Sequence, residues 1–349
     1  MKFLLHSLLA FLIVFACSCS NNPGSKKDGI TFKVRTDEKQ IDVIAGEKLF
    51  TSFCWYDNVY KPILYPVYAA SGTEITRGFP LKPREGESND HRHQVGIWLT
   101  YGSVNGLDFW GNGSEGKWGI KSGQVLHLNV EDLKSGIDES SFISNDNWVD
   151  SVGTVILAEK TEYHFRMAGS LRMIDRITTL TAVKDTVRFS DTKEGMFGIR
   201  VTTQLQLPSK EDMVIKEKTG GTTTVKAMSD NEINGNYRSS EGVTGEGVWS
   251  TRARWMDLYG TVKGEKISLV ICDHPKNQSY PTYWHARGYG LFSANPLGAK
   301  DFTKGQEILN FMIPAGNSTT FRYRVIISSG DFLTDEQING MAKEFSEKY

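Results

Sequence analysis

Short segments in which apolar and polar residues alternate recur along most of the chain, and this period of two limits the fold more than any other feature. Ile30–Val34, Ile41–Ile44, Val125–Val130, Val155–Glu159, Arg172–Val183, Ile267–Ile271 and Phe321–Ser328 are rich in Val, Ile, Thr and Leu. In an extended strand successive side chains point to opposite faces, so many of these segments read as half-buried strands. Gly153–Arg166 and Ser170–Ala182 read as a long hairpin joined at Met167–Gly169. Clusters of Gly, Asn and Asp supply turns at short intervals. One helix signal closes the chain: Thr334 and Gln337 fit a capping box, and Ile338, Met341 and Phe345 share a face. Strand after strand without alternating helices predicts an all-β fold, a large β-sandwich with a C-terminal helix on its outside, as one domain over residues 29–349. Met228–Val248, rich in Asn, Gly, Ser and Glu, reads as a long loop.

The N-terminus has a different character. Met-Lys precedes an apolar run from Phe3 to Ala16, and Cys-Ser-Cys-Ser-Asn-Asn follows. A basic start, a short apolar core and a small-residue exit predict a secretory signal over residues 1–19. The run is shorter than the ~20 residues a spanning helix needs. Cys17 and Cys19 are both candidates for lipidation, and residues 20–28 read as a polar tether. The expected location is therefore outside the cytoplasm, in the periplasm or at the outer membrane or cell surface, with a lipid anchor as the only membrane contact. Cys54 and Cys272 remain in the exported part and could pair in an oxidising compartment or stay as two buried, unpaired thiols. A formal net charge of −1 without a basic stripe argues against a nucleic-acid partner.

Three stretches concentrate chemistry. The first runs from Thr76-Arg-Gly-Phe-Pro to Asp90-His-Arg-His-Gln-Val-Gly-Ile-Trp98. His91 and His93 are two apart, and on a strand their rings share one face. That spacing suits a polar substrate or a divalent metal, although a metal needs a third ligand from elsewhere, and no cofactor is expected. Asp90 could orient an imidazole. Asn105, Asp108 and Trp110 follow in a Gly-rich loop that is also consistent with plain turn chemistry. The second stretch places Asp191, Lys193 and Glu194 before a glycine, with Glu194 the candidate general base. The third, Cys272 to Gly298, packs Asp273, His274, Tyr283, Trp284, His285, Arg287 and Asn295 into a segment with little apolar periodicity. Polar groups this dense lie at the surface or line a pocket. Aromatic faces with Arg and His between them suit sugar binding.

Arg77-Gly-Phe-Pro, Asp90 to Trp98, Asn105-Gly-Leu-Asp-Phe-Trp110, Asp191-Thr-Lys-Glu-Gly-Met196, Tyr237-Arg-Ser-Ser-Glu-Gly242 and Asp273-His-Pro to Asn295-Pro-Leu-Gly298 resemble, in order and over nearly the whole exported part, an uncharacterised bacterial family often labelled the PmoA family. The label implies a subunit of a membrane-embedded copper monooxygenase. With no apolar run of spanning length after the signal, that activity is not expected here. The resemblance implies export, an association with carbohydrate use and a fold similar to the galactose mutarotase-like sandwiches, but no assigned catalytic residues. The resulting expectation is a carbohydrate-active protein using acid–base chemistry. His91, His93 or His285 would be the acid and Glu194 or Asp273 the base. Arg77 and Arg287 would hold anionic or hydroxyl groups, and Trp98, Trp110 and Trp284 would form the wall. Asn105, Asp108, His274, Tyr283 and Asn295 would add polar contacts. A non-catalytic glycan-binding lipoprotein and a His-ligated metalloenzyme are the alternatives.

Overall fold

The computed structural model describes residues 29–111, 121–209, 212–216, 222–225 and 233–349. The expected signal, tether and lipidation cysteines Cys17 and Cys19 lie outside the described residues. In chain order the strands are β1 (Ile30–Arg35), β2 (Gln40–Ala45), β3 (Lys48–Cys54), β4 (Ile63–Val67), β5 (Ile97–Tyr101), β6 (Gln124–Lys134), β7 (Ser140–Val149), β8 (Val155–Ala168), β9 (Leu171–Ala182) and β10 (Val187–Phe189). They continue as β11 (Gly195–Arg200), β12 (Met213–Lys216), β13 (Thr222–Val225), β14 (Asn236–Ser239), β15 (Trp255–Val262), β16 (Glu265–Asp273), β17 (Tyr283–Arg287), β18 (Leu291–Asn295), β19 (Phe311–Ile313) and β20 (Ser318–Ser329). A single-turn helix, α1 (Ala299–Phe302), precedes β19, and α2 (Asp335–Lys348) ends the chain.

Sixteen of these strands form two antiparallel eight-stranded sheets. The first has the order β1-β2-β3-β4-β5-β11-β18-β17, the second β14-β15-β16-β20-β9-β8-β7-β6. Their inner faces interdigitate. Phe197 of the first sheet stacks on Tyr323 of the second at 4.8 Å, and Phe53 meets Phe142 at 5.3 Å. Each such fully buried side chain contributes on the order of 1.5–3 kcal/mol, so this interlayer is the main source of cohesion.

The outer faces are treated differently. On the second sheet, Met173, Ile177, Val270, Cys272 and Ile326 are covered by Ile338 and Phe345 of α2. The helix begins where the sequence places it: the Thr334 side chain accepts from Gln337 N, and the Gln337 side chain reaches back to Thr334 N. Arg324 forks onto Asp175 at 2.6 and 2.8 Å beneath the helix and donates to Met341 O. Among the described residues no long helix covers the first sheet; the single turn α1 touches only its β17 edge, where Phe302 packs on Tyr283 and His285. Its outer residues Cys54, Ile63, Tyr65, Trp98 and Leu291 are covered by Val59, Val95, Trp110 and Tyr289 from connecting segments. Cys54 and Cys272 are both free and buried, one in each outer layer. Among the described residues no helix is long and apolar enough to cross a membrane.

Two readings need correction. Met228–Val248 is not loop throughout, because Asn236–Ser239 pairs with β15 and a short 3-10 turn spans Gly245–Val248. The third polar stretch holds two strands, β17 and β18, paired from Tyr283↔Asn295 to Arg287↔Leu291. Trp284, Ala286, Phe292 and Ala294 turn into the core, while the polar residues between them take the other face.

Candidate active site

The candidate site lies on the outer face of the first sheet, over β5, β11, β18 and β17. Register aligns Trp98, Gly198, Ser293 and His285 in one rung. A Cβ at Gly198 would come within 2.7 Å of the Trp98 ring. The glycine therefore lets the indole lie across β11. His285 is thus carried on a strand, with its ring on the same face as that indole.

Three loops bring the remaining groups. The first, residues 88–94, is built around Asp90. Its Oδ1 accepts from Arg77 Nη1 at 2.6 Å, Arg200 Nη2 at 2.7 Å and Ser88 Oγ at 3.1 Å. His91 Nδ1 lies 3.1 Å from Asp90 Oδ2. Burial works to raise the Asp90 carboxyl, but Arg200, His91 and Arg77 outweigh it and hold the group far below the carboxylate range. His91 and His93 lie in a turn closed by Gln94 N→His91 O, not on a strand. Their rings still meet, 5.7 Å apart and nearly perpendicular. His91 also stacks flat on Tyr289 at 4.9 Å, and Arg200 lies 4.8 Å from that phenol ring.

The second loop carries Asp108 and Trp110. Asp108 Oδ1 accepts from the amides of Trp110 and Gly111 at 2.8 and 3.0 Å. The Trp110 ring packs 5.1 Å from Trp98 and 6.5 Å from His93. Lys61 is enclosed between the two indoles and donates to Trp110 O at 2.9 Å. Burial pulls its ammonium down to about 7, against the pull of Asp108.

The third loop delivers Lys193 and Glu194, which form an ion pair. Burial works to raise the Glu194 carboxyl, but Lys193, His285 and His93 together hold it far below its usual range. The imidazoles move the opposite way. Burial, aided by His91 and Lys61, pushes His93 well below the usual imidazole range. Burial takes His285 down to about 3 despite Glu194. At neutral pH the cleft therefore holds an ionised carboxylate beside two neutral imidazoles. His285 Nδ1, Trp98 Nε1, Trp110 Nε1 and Thr100 Oγ1 are buried on this side without a hydrogen-bond partner in the protein. Arg287 lies 5.6 Å from the Trp249 ring and 6.0 Å from Tyr289.

Among the expected site residues, His91, His93, Glu194, His285, Arg287, Trp98, Trp110 and Asp108 come together here. Others do not. Arg77 is fully enclosed, with both terminal nitrogens donating to Ser88, Asp90, His91 and Gln94, so it organises the loop and does not reach a ligand. Asp273 is buried in the second sheet and accepts from Asn277 Nδ2 and Thr282 N. Burial pushes it up to about 7, but it holds its own loop. His274 packs edge-on to Phe345 of α2 at 5.1 Å. Trp284 faces the core and donates to Ala253 O. Asn295 donates to Thr192 O and accepts from Leu297 N, which fixes the segment before Glu194. Asn105 sits at positive φ in a turn and bonds the Arg188 amide. Tyr283 bonds Glu307 and stacks on Phe302 at the sheet edge.

Lys61, Tyr289 and Arg200 were not legible as site residues. A lysine within the largely apolar run from Val59 to Val67 is the one local signal for Lys61. The other two look ordinary in sequence. Among the described residues no group of three or more His, Cys, Asp or Glu is placed to hold a metal ion, so His91 and His93 have no third ligand there. A shallow depression lined by Asp132, Lys134, Ser141, Ile143, Glu162 and His164 lies on the second sheet, apart from these groups.

Fold and site together define a large antiparallel β-sandwich with a polar His/Glu cleft on one outer face. The chain belongs to the family of unknown function DUF6807, whose pattern matches residues 40–343. That match brings no PmoA-like name with it. A search of curated proteins gives no match. Among solved structures, the galactosidase domain of an alpha-galactosidase–sucrose kinase has 10% identity and a TM-score of 0.41, over 86% of this chain and 41% of that one. This chain therefore spans about two fifths of that protein's length. A putative aldose 1-epimerase from Escherichia coli K12 has 7% identity and a TM-score of 0.36, over 87% of this chain and 99% of the other. A galactose mutarotase related enzyme from Lactobacillus acidophilus has 9% identity and a TM-score of 0.32, over 86% and 97%. Function must be read from the side chains of the site itself.

Proposed function

We propose that this protein is a carbohydrate-active enzyme that performs acid–base chemistry on a sugar or sugar derivative in the cleft over β5, β11, β18 and β17. The observation that carries the reading is one small cluster, the Lys193–Glu194 ion pair beside the His93 and His285 rings, where neighbouring charge favours an ionised Glu194 and burial favours neutral imidazoles. A neutral imidazole donates N–H to a substrate oxygen without needing to be protonated. A carboxylate next to it accepts a proton from a hydroxyl or from carbon beside a carbonyl. The Lys193 ion pair makes Glu194 a weak base at rest. A substrate that draws Lys193 away raises the Glu194 carboxyl toward the working range. The unpartnered indoles of Trp98 and Trp110 and the Thr100 hydroxyl suit a ligand's oxygen acceptors, while His285, whose ring N–H is engaged by the Lys193 backbone, presents Nδ1 as an acceptor for a hydroxyl.

The test is turnover of a panel of bacterial glycans, aldoses and keto-sugars by the wild type, Glu194→Gln and His285→Ala. Loss of product by about 10²-fold or more in both variants, with folding intact, is the expected result. Saturable binding without product would make the cleft a glycan-binding site and overturn the catalytic reading. Equal activity in all three proteins would remove these two residues from the chemistry.

The same reading places the protein outside the cytoplasm on a lipid anchor. It is supported by the apolar run Phe3–Ala16 and the cysteines at its exit. Mass spectrometry of the mature N-terminus distinguishes lipidated Cys17 from lipidated Cys19. An unmodified, uncleaved Met1 would overturn it.

A further inference from the structure

Among the described residues Lys61 is the only buried lysine, at 2% exposure. It sits in the turn that leads into β4, where its amide donates to Val59 O at 2.7 Å. Its ammonium has one backbone acceptor, Trp110 O at 2.9 Å, and two indole faces at 5.1 and 5.9 Å. The charged groups around it come from three segments. Asp108 is on the loop after β5, His93 is on the loop before β5, and Glu194, which acts on both of them, precedes β11. Asp108 is not a close partner for the ammonium, because its Oδ1 serves the Trp110 and Gly111 amides.

Stability alone gives no reason to place an ammonium here. Stripping it of water is costly, and one carbonyl with two ring faces returns only part of that. A methionine would occupy the space without the desolvation, and exchanging buried charge for apolar volume is often neutral or stabilising. What the ammonium touches is the cleft. It grips the carbonyl of Trp110, whose ring packs against His93.

We infer that Lys61 is a positioning residue of the cleft, fixing Trp110 through its carbonyl and so setting the ring that packs against His93. The inference rests on the acid–base reading of the cleft, but it can be tested without a substrate. The depressed ammonium gives it a signature, since Lys61 loses its proton near pH 7, inside the accessible range.

The experiment uses the whole exported chain, as wild type, Lys61→Met and Asp108→Asn, with ¹⁵N-labelled histidine side chains. Imidazole NMR follows His93, assigned with His93→Gln, and tryptophan emission is followed over the same pH range. Lys61→Met is expected to fold with an unchanged or higher Tm. In it the His93 titration moves upward by about half a pH unit or more, since a repelling positive charge is gone. The wild type should show a tryptophan transition near pH 7 that Lys61→Met lacks. Asp108→Asn should move that transition to lower pH, because Asp108 is the group that favours the ammonium. This second variant retains the lysine and tests the assignment if Lys61→Met does not fold. An unmoved His93 titration in Lys61→Met, or an unmoved transition in Asp108→Asn, overturns the inference. Neither result depends on sugar turnover, so failure of the proposed reaction and failure of this assignment are separate outcomes.

Discussion

Both sheets bury arginine and aspartate on their outer faces, yet one face is closed and the other is open. On the second sheet Arg324 and Asp175 satisfy each other in a two-pronged pair, and α2 covers them. On the first sheet a single carboxylate, Asp90, is shared by Arg77, Arg200 and His91. That sharing folds the 88–94 loop back over the sheet and sets His91 and His93 at the rim of a cleft. The same residue chemistry therefore seals one layer and organises a site on the other. The difference is whether a long helix completes the surface or loops leave part of it, at Lys193 and Glu194, exposed.

The comparison breaks most clearly if the sealed face is attacked. Asp175→Asn leaves the buried Arg324 with only the half-exposed Glu344 at 3.5 Å as counter-charge, and removing one partner of a buried pair typically costs about 3–5 kcal/mol. Chemical denaturation should show a loss of that order, with α2 released. A loss under about 1 kcal/mol would mean that the apolar contacts of Ile338 and Phe345 hold the helix by themselves. The matching attack on the open face, Asp90→Asn, removes the shared charge from two arginines. It is expected to cost less stability, because Arg200 keeps Gln94 and Arg77 keeps four carbonyls. Sugar binding should be lost before folding is. Unfolding as severe as in Asp175→Asn would end the distinction between a sealing pair and a site-building one.

The histidines sharpen the comparison through pH. Burial takes His274, under α2, down to about 4, and His285, in the cleft, down to about 3. A base whose folded pKa is lowered contributes stability that is fully present above its unfolded value, near 6.5. That stability is lost as pH falls through the folded value. Both residues therefore predict acid weakening that begins below pH 6.5 and continues to pH 4 and lower. Replacing His274 by Phe should flatten the stability profile between pH 6.5 and 4. Replacing His285 by Phe should flatten the same range and also abolish the proposed sugar turnover. A profile unchanged by either substitution would show that neither ring is neutral by virtue of burial.

The sealed face was the more legible of the two in sequence. The α2 cap is local chemistry, Thr334 to Gln337, and its apolar stripe repeats at helical spacing. The β8–β9 hairpin was visible as well, because its alternation is long. The strands of the cleft were not, since β5, β11, β17 and β18 are buried on both faces and so lose the alternation that marks a half-wet strand. Adjacent polar residues in the third stretch were grouped by sequence, yet Trp284 and His285 point to opposite faces, and Asp273 and His274 belong to the other sheet. Glu194, His91 and His93 stand out in sequence by residue type, and the fold brings them to one face. Lys61, Arg200 and Tyr289 needed the fold, because only strand order brings residues 61, 200 and 289 to one surface.

The smallest expected effect tests how independent the two faces are. Thr334→Ala removes the side-chain acceptor for Gln337 N, and the loss of an N-cap costs about 0.5–2 kcal/mol. The first turn of α2 should fray, with faster amide exchange at residues 335–338, while Ile338 and Phe345 still anchor the rest. If α2 only seals the second sheet, the His93 and His285 signals and any sugar affinity stay where they are. If they move, strain travels through the interlayer, where Phe197 of the cleft strand β11 stacks on Tyr323 of β20, the strand whose Arg324 bonds the helix. That stack is a direct contact between a cleft strand and the strand bonded to the helix. Phe197→Leu, combined with Thr334→Ala, should then uncouple them, so that the double variant loses stability additively but no longer shifts the histidines.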